Sequence, residues 1–416
     1  MQGGVFPTSL VIASRGRPAA LRRCLTAVRQ LDHPEFEVIV VADAAGLWAV
    51  ADMGLTRLIK TVQLEEANIS TARNLGIAMA AGEIVAFIDD DAVPEPTWLS
   101  RLVAPFSDPR VTAATGFVLG RNGLTFQWQA GWTDVLGWRH PLEVEEQAIT
   151  LHESSPGAAV RTEGTNMAFR REVLAELGGF DPSFRFYMDE TDLNMRQAAE
   201  GQITAVVPLA QVHHGFLAGP HRRDDRVPLS LFEIGASLSA FLRKHAPLAA
   251  HGPRINAFRI EQRRRLLRHM VSGGIEPRDV SRLMATLEDG FDDGARRPLR
   301  KMRPIAPPTE PFHPLPDTGP RPGRCLAGWF WQGWGLRRHA GTLAADGAIV
   351  TVLRLSPTPF RHRVRYHPDG YWEQSGGLFG RSLRDRPAPI RPGIATRLRR
   401  EIARIALTRP VDSLLA

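Results

Sequence analysis

The chain has 416 residues, a formal net charge of +8, 43% hydrophobic and 23% charged residues, and two cysteines. That length suits one large domain with appendages, the composition is ordinary for a soluble globular protein, and Cys24 and Cys325, isolated and without CxxC spacing, exclude a disulfide framework and a cysteine zinc site. Met1–Val5 lacks a basic segment leading into an apolar one, no apolar run approaches bilayer length, and the arginine excess after residue 250 has neither zinc-finger spacing nor an RNP-like aromatic strand. The expectation is a cytosolic protein that binds no nucleic acid and whose basic surface is left for anionic lipid or anionic substrate.

In chain order, Ser9–Ser14 reads as a short apolar strand, and Arg15-Gly16-Arg17-Pro18 as a turn with Pro18 at the first helical position. Leu21, Leu25, Val28 and Leu31 recur at helical spacing, and Phe36–Asp43 is a second buried strand that ends in an acid. Strand, helix, strand makes a βαβ unit, which implies a parallel sheet and a nucleotide-sized ligand. Asp43 either holds a ribose or base edge or caps a turn. A third strand is predicted over 59–64, and Ala67–Gly76 opens a helix that reaches Ala81, with Asn68 or Ser70 as its N-cap. Arg73 and Asn74 lie in its first turns, where the positive end of a helix can face a phosphate. Arg73 is then either a surface charge or a diphosphate partner.

Gly82–Ile88 reads as a buried parallel strand running into Asp89-Asp90-Asp91. Side chains alternate along a strand, so Asp89 and Asp91 should share one side and Asp90 take the other. Two close carboxylates at a strand's carboxyl end suit a Mg²⁺-like ion shared with phosphate oxygens; the alternative is a solvated acidic turn in which Asp91 caps the helix from Pro94 to Leu102. Val111–Leu119 is a further strand. The long connection over 121–160 carries Trp128, Trp132 and Trp138, placed either to stack on a sugar or to form a local core.

Gly164–Arg170 is a strand entering a helix over 171–177, and a second acidic cluster follows. There Asp189 is expected to cap a helix over 190–200, with Asp192 imitating a capping box. Glu190 has no such structural task, which singles it out as a general base unless it only favours the helix dipole. Ala205–Val212 leads to His213-His214-Gly215, a candidate third metal ligand. Leu231, Ile234, Leu238 and Phe241 mark an amphipathic helix over 228–245. Residues 246–310 are arginine-rich and helical, 303–324 read as a linker, 325–335 are tryptophan-rich, 347–355 form a strand, and Pro368–Trp372 turns between two more. Over 394–407, Arg397, Arg399, Arg400 and Arg404 oppose Ile402, Ile405 and Leu407 in a basic amphipathic helix that either lies on an anionic bilayer or packs on the main domain. Six arginines and one glutamate fall between Arg391 and Pro410.

Ala67–Gly76, Phe87–Leu99, Gly179–Arg196 with its Asp-Glu-Thr-Asp-Leu, and His213-His214, taken in this order, resemble family 2 glycosyltransferases of the GT-A fold, over roughly residues 7–245. The resemblance implies an α/β fold with a nucleotide-binding, mostly parallel sheet over 1–245; the helical extension over 246–310 and the small mixed region over 311–416, whose role is open, are read from the residues alone. It implies inverting sugar transfer from a nucleotide-diphosphate sugar to a glycan or lipid-linked acceptor, in cell-surface or exopolysaccharide synthesis, with Mn²⁺ or Mg²⁺ as cofactor and a possible peripheral contact at the inner face of the membrane. Carried over by residue, Asp89 and Asp90 face the donor with Asp43, Arg73 and Asn74, while Asp91, Asp89 and His213 hold the metal. Glu190 is the base within a group that includes Asp189 and Asp192. Ala42 stands where the family's second strand commonly ends in an acid, with Asp43 one step later. A second reading keeps the donor pocket without the base, as a nucleotide-sugar or glycan-binding scaffold at a membrane surface. A third, a nucleotidyltransferase, needs a glycine-rich basic loop after the first strand, of which Ser14–Arg17 is a faint version.

Overall fold

The computed structural model describes residues 6–219, 221–299, 301–384 and 393–415. The expectations for Met1–Val5 and for Arg391 lie outside them. The first elements are β1 (Thr8–Ser14), α1 (Pro18–Val28), β2 (Phe36–Ala42), α2 (Ala44–Asp52), β3 (Lys60–Gln63), α3 (Ile69–Met79) and β4 (Ile84–Asp89). β1 pairs in parallel with both β2 and β4, and β2 with β3. Because side chains alternate, each strand feeds two cores: Leu10, Ile12, Val38, Val40, Ala86 and Ile88 join one, while Val11, Ile39, Val41, Val85 and Phe87 join the other. Burial on both faces is what makes these strands read as continuous apolar runs.

β5 (Ala92–Pro94), α4 (Trp98–Val103) and β6 (Val111–Leu119) follow. The stretch expected as a long unstructured connection instead folds into five short strands: β7 (Phe126–Trp128), β8 (Gly131–Asp134), β9 (Arg139–Pro141), β10 (Thr150–Glu153) and β11 (Ala158–Val160). Each is only three or four residues long, too short for a periodic signal. Its three tryptophans do not gather into one cluster. Trp128 lies beside His214 and Phe216, Trp132 stacks on His140, and Trp138 carries the Arg254 guanidinium.

β12 (Met167–Arg170), α5 (Arg171–Glu176), α6 (Asp189–Ala199) and β13 (Ile203–His214) complete the main sheet, whose order is β10-β13-β6-β12-β4-β1-β2-β3. β12 runs antiparallel to β4 and β6, so the sheet is mixed but largely parallel. Helices α7 (Phe232–His245), α8 (Leu248–Val271) and α9 (Pro277–Arg296) form a layer beside it. α7 and α9 approach so closely that a Cβ on Gly294 would sit 2.1 Å from the Ala236 carbonyl oxygen.

The carboxyl-terminal region is a second, smaller α/β unit: β14 (Gly323–Trp329), α10 (Gly333–Ala345), β15 (Ile349–Ser356), β16 (Arg363–Tyr366), β17 (Trp372–Gly377), α11 (Ile394–Ile405) and β18 (Ser413–Leu415), with sheet order β16-β17-β15-β14-β18. α10 covers one face, against Leu326, Val350 and Val352; α11 covers the other, where Leu398, Ile402 and Ile405 pack on Cys325, Ala327 and Leu353. The apolar side of α11 is therefore occupied by its own sheet rather than offered to a bilayer. Two of its arginines turn inward, Arg397 and Arg404, both paired with Glu401. Among the described residues no helix is long and apolar enough to cross a membrane.

The expected linker is held along the main domain. Leu315 is buried in the first core and its N–H donates to the Phe36 carbonyl at 2.8 Å, and Ile305 N–H donates to the Ala175 carbonyl at 2.9 Å. His313 N–H meets Glu37 Oε2 at 2.9 Å. Glu37 has no exposure at all and gathers four separate parts of the chain, accepting from Ser9 Oγ (2.6 Å), Ala81 N (2.8 Å) and His313 N and pairing with Lys60 Nζ at 2.9 Å. Removing the cation alone strands a buried carboxylate. Lys60→Met is expected to lower unfolding free energy by about 3–5 kcal/mol in urea titrations, and adding Glu37→Gln to recover a large part of that loss. A single-variant loss indistinguishable from a surface substitution would show that Glu37 carries no charge in the fold.

Candidate active site

β1, β2 and β4 run in parallel, so their carboxyl ends lie together at one edge of the sheet, the place where parallel sheets bind ligands. Asp89 and Asp91 share one side of the chain there, with Asp90 turned away, as strand alternation requires. Asp90 accepts from Ser14 Oγ at 2.7 Å and pairs with Arg17 at 2.5 Å. Burial, opposed by Arg17 and reinforced by Asp91, pushes Asp90 up to about 7. Asp91 is buried too, but His214 when its Nε2 carries a proton, Arg17 and the Leu217 N–H outweigh the burial and hold it well below the usual carboxylate range.

The histidine beside these acids is His214. Asp89, Asp91 and His214 each offer a ligand atom, all within 4.8 Å of one another. His213, the expected ligand, faces the other way: its Nε2 meets Glu95 at 2.7 Å, and its ring lies 4.6 Å from that of Trp372. The physical reason is a register shift in β13 between Val207 and Val212, since one residue of slip exchanges the two faces of a strand. The donor set fits a divalent cation on a further observation. His214 Nδ1 lies 3.2 Å from Gln127 Oε1, and donation there leaves Nε2 as the lone-pair nitrogen. That Nε2 sits 3.2 Å from Asp91 Oδ1, a buried oxygen that accepts no hydrogen bond. Two lone-pair atoms converging in a buried site are arranged as metal ligands are, with Gln127 in the orienting position behind the imidazole. Oxygen-rich sets of this kind suit Mg²⁺ or Mn²⁺.

The second acidic cluster is joined to Asp89 through Arg73. Arg73, buried, pairs with Asp189, lies 3.5 Å from Asp89 and donates to the Gly164 carbonyl. It is thus committed to the protein's own carboxylates instead of standing free for a diphosphate. Asn74 is committed as well, clasping the backbone of Phe180 through both amide atoms at 2.7 and 2.8 Å. Asp43 caps α2 by accepting from Gly46 N at 2.9 Å, and its other oxygen accepts from Gly16 N at 2.7 Å.

Asp189 does not cap α6. The N-cap is Met188, which follows Tyr187 into left-handed backbone, with φ of 66° and 74°. Two successive non-glycine residues in that region are strained, and such strain concentrates at functional sites. Asp192 lies wholly inside, paired with Arg196 (2.9 Å), Lys244 (2.7 Å) and His245 (2.8 Å), so that it ties α6 to α7. Glu190 enters no salt bridge among the described residues. Burial raises it, but the hydrogen bond from Asp189, with Arg73 and Arg139 behind, brings it below the usual range, while burial beside Glu190 raises Asp189 despite Arg73.

Arg17 is the residue the sequence signalled without disclosing its role. It follows β1 in the turn already noted as basic, and it reaches both Asp90 and Asp91.

His214→Ala is expected to abolish Mn²⁺ binding seen by calorimetry, whereas His213→Ala, provided it folds, retains it; the reverse pattern would return the ligand role to His213. Asp192→Asn should lower stability at pH 7 by about 3–5 kcal/mol through loss of a buried ion cluster. Asp192 is depressed by its cations against burial, so the wild-type advantage is full above the unfolded carboxyl value of about 3.9 and shrinks as pH falls below it. Chemical denaturation at pH 7 and pH 3 measures this, and a gap that widens in acid would contradict the assignment.

Residues 9–178 match the family model described as glycosyl transferase family 2. The O-antigen biosynthesis protein RfbC of Myxococcus xanthus is 27% identical over 241 residues, which are 54% of this chain and 18% of that one. The pre-mycofactocin glycosyltransferase of Mycobacterium tuberculosis is 27% identical over 263 residues, 60% of this chain and 51% of that one. The chain thus spans about a fifth of the first relative and half of the second. Among solved structures, the mannosyltransferase PcManGT from Pyrobaculum calidifontis in complex with GDP-Man and Mn²⁺ is similar at 17% identity and a TM-score of 0.41, over 70% of this chain and 88% of that one. The stretch that matches glycosyl transferase family 2, residues 9–178, thus contributes most of the strands of the mixed, largely parallel main sheet.

Proposed function

We propose that this chain transfers a sugar, with inversion, from a nucleotide-diphosphate sugar to a hydroxyl of a glycan or lipid-linked acceptor, in synthesis of a cell-surface or secreted polysaccharide on the cytoplasmic side of the membrane. The observation that carries the reading is Arg73. By touching both Asp89 and Asp189 it brings together a metal-type cluster and an ionised, unpaired carboxylate, although they are about a hundred residues apart in sequence. The name of the Myxococcus relative supports the polysaccharide setting.

A Mn²⁺ or Mg²⁺ ion held by Asp89, Asp91 and His214 would supply the positive charge that a departing nucleoside diphosphate requires. Arg17 and Arg222, 3.1 and 3.9 Å from Asp91, add guanidinium donors on the same side. Glu190 accepts the proton of the acceptor hydroxyl as its oxygen attacks the anomeric carbon from the face opposite the leaving group. Asp189 pairs with Arg73, which leaves Glu190 free to act.

Thermal shift with UDP-, GDP- and dTDP-sugars in Mn²⁺ identifies the donor, because a ligand of the native state raises the melting temperature. With that donor, Glu190→Gln is expected to reduce transfer by about 10²- to 10⁴-fold while donor affinity stays at the wild-type value. Transfer at the wild-type rate would overturn the base assignment. If a folded Asp189→Asn loses transfer and Glu190→Gln does not, Asp189 is the base; if neither matters, the chain is a nucleotide-sugar-binding scaffold.

A further inference from the structure

A cleft of about 620 Å³ lies where the main domain meets the carboxyl-terminal sheet, and among the described residues that line it none is acidic. Four of its lining residues are arginines: Arg121 after β6, Arg226 in the segment after β13, and Arg363 and Arg365 on β16. β16 is an edge strand on which Val364 and Tyr366 are buried, so Arg363 and Arg365 project together from the opposite face. None of the four is in a salt bridge among the described residues. Arg226 is lowered by burial and then by Arg121, as befits two cations that face each other with no anion between them.

The two walls are fixed to one another. Val364 N–H donates to the Asn122 carbonyl at 2.9 Å, and Gly123, at φ +68°, lets the chains approach to where a Cβ would be 2.6 Å from the Val364 carbonyl oxygen. The cleft also adjoins the transfer site. Gln127 lines it and orients His214, while Phe216 lines it and lies 4.3 Å from the His214 ring, with Arg226 stacked on its other neighbour side at 4.3 Å. Arg121 donates to the Gly215 carbonyl at 3.0 Å, next to the Leu217 N–H that contacts Asp91. Guanidinium groups match phosphate oxygens in paired hydrogen bonds, and four of them in one cleft without a carboxylate form a site for a multiply charged oxyanion.

We infer that this cleft binds a phosphoryl group carried by the acceptor, which places a phosphorylated saccharide beside the donor. The inference rests on the glycosyl-transfer reading, in which the donor's own diphosphate is held at Asp89, Asp91 and His214. Arg363 and Arg365 contribute the specificity and touch none of the groups assigned to chemistry.

The probe is glucose 1-phosphate, titrated calorimetrically into the full chain in EDTA. Saturable binding is expected, and the double variant Arg363→Gln/Arg365→Gln should weaken it about tenfold or more with an unchanged melting temperature. Equal affinity in the two proteins, or no saturable binding to the wild type, overturns the site. Binding should persist when Mn²⁺ and UDP are saturating; displacement by Mn²⁺–UDP would place the phosphate in the donor pocket and overturn the inference too. Failure of Mn²⁺–UDP to bind either protein sinks the donor reading instead, a separate result from the one in EDTA. Co-sedimentation with phosphatidic acid vesicles, against phosphatidylcholine vesicles, distinguishes the sources of the phosphate. Pelleting that needs Arg363 and Arg365 assigns it to a lipid, and pelleting equal in the two proteins assigns it to a soluble acceptor.

Discussion

A single buried guanidinium holds the two acidic motifs together. Asp89 and Asp189 end different elements, a parallel strand and a helix start, and two carboxylates drawn together repel unless a cation lies between them. Arg73 is that cation, and its surroundings are built to the shape of its head group. A Cβ on Gly164 would lie 2.4 Å from its Nη2, and the Phe180 ring packs 5.2 Å from its centre. Asn74, one residue on, fastens the same helix to Phe180. The helix that the sequence marks as a phosphate-binding start is thus a strut between the acids of a strand end and those of a helix start, and the guanidinium groups beside Asp91 are those of Arg17 and Arg222.

Charge is also divided among the four clustered acids by position. Asp90 is raised by burial while its neighbour Asp91 is lowered by the groups around it. Asp189 and Glu190 repeat the pattern. In each adjacent pair the neighbouring groups lower one carboxyl while burial raises the other.

The first half of the fold was legible because β1, β2 and β4 are buried on both faces and β2 and β4 run into acids, so that periodicity, length and punctuation agree. The two acidic stretches and Glu190 could be singled out from residue type and spacing alone. What could not be read is the outcome of irregular backbone. His213 was expected at the metal because the resemblance was carried over residue by residue, and the register shift in β13 between Val207 and Val212 leaves His214 on that face instead. Asp189 was expected as a cap because acids favour that position, yet a cap needs extended backbone and Met188 is left-handed. The short strands over 126–160 and the docking of residues 303–322 depend on partners distant in sequence, which no local pattern records.

One contact joins the smaller sheet to the strand that bears His214. Glu95, next to β5, receives His213 on one oxygen and Arg409 on both, and Arg409 in turn stacks 3.9 Å from Trp372. Burial works against the carboxylate, but Arg409 and His213 bring it down to about 2. The partners are separated by 314 residues. At about 5–20 residues per second, a ribosome needs roughly 15–60 s to travel from Glu95 to Arg409. Throughout that interval the nascent main domain carries an acid with no arginine to meet it, directly behind its metal-binding strand. The site therefore matures late: its sheet can form as it emerges, but the wall behind His214 closes only after the far end of the smaller sheet has been made.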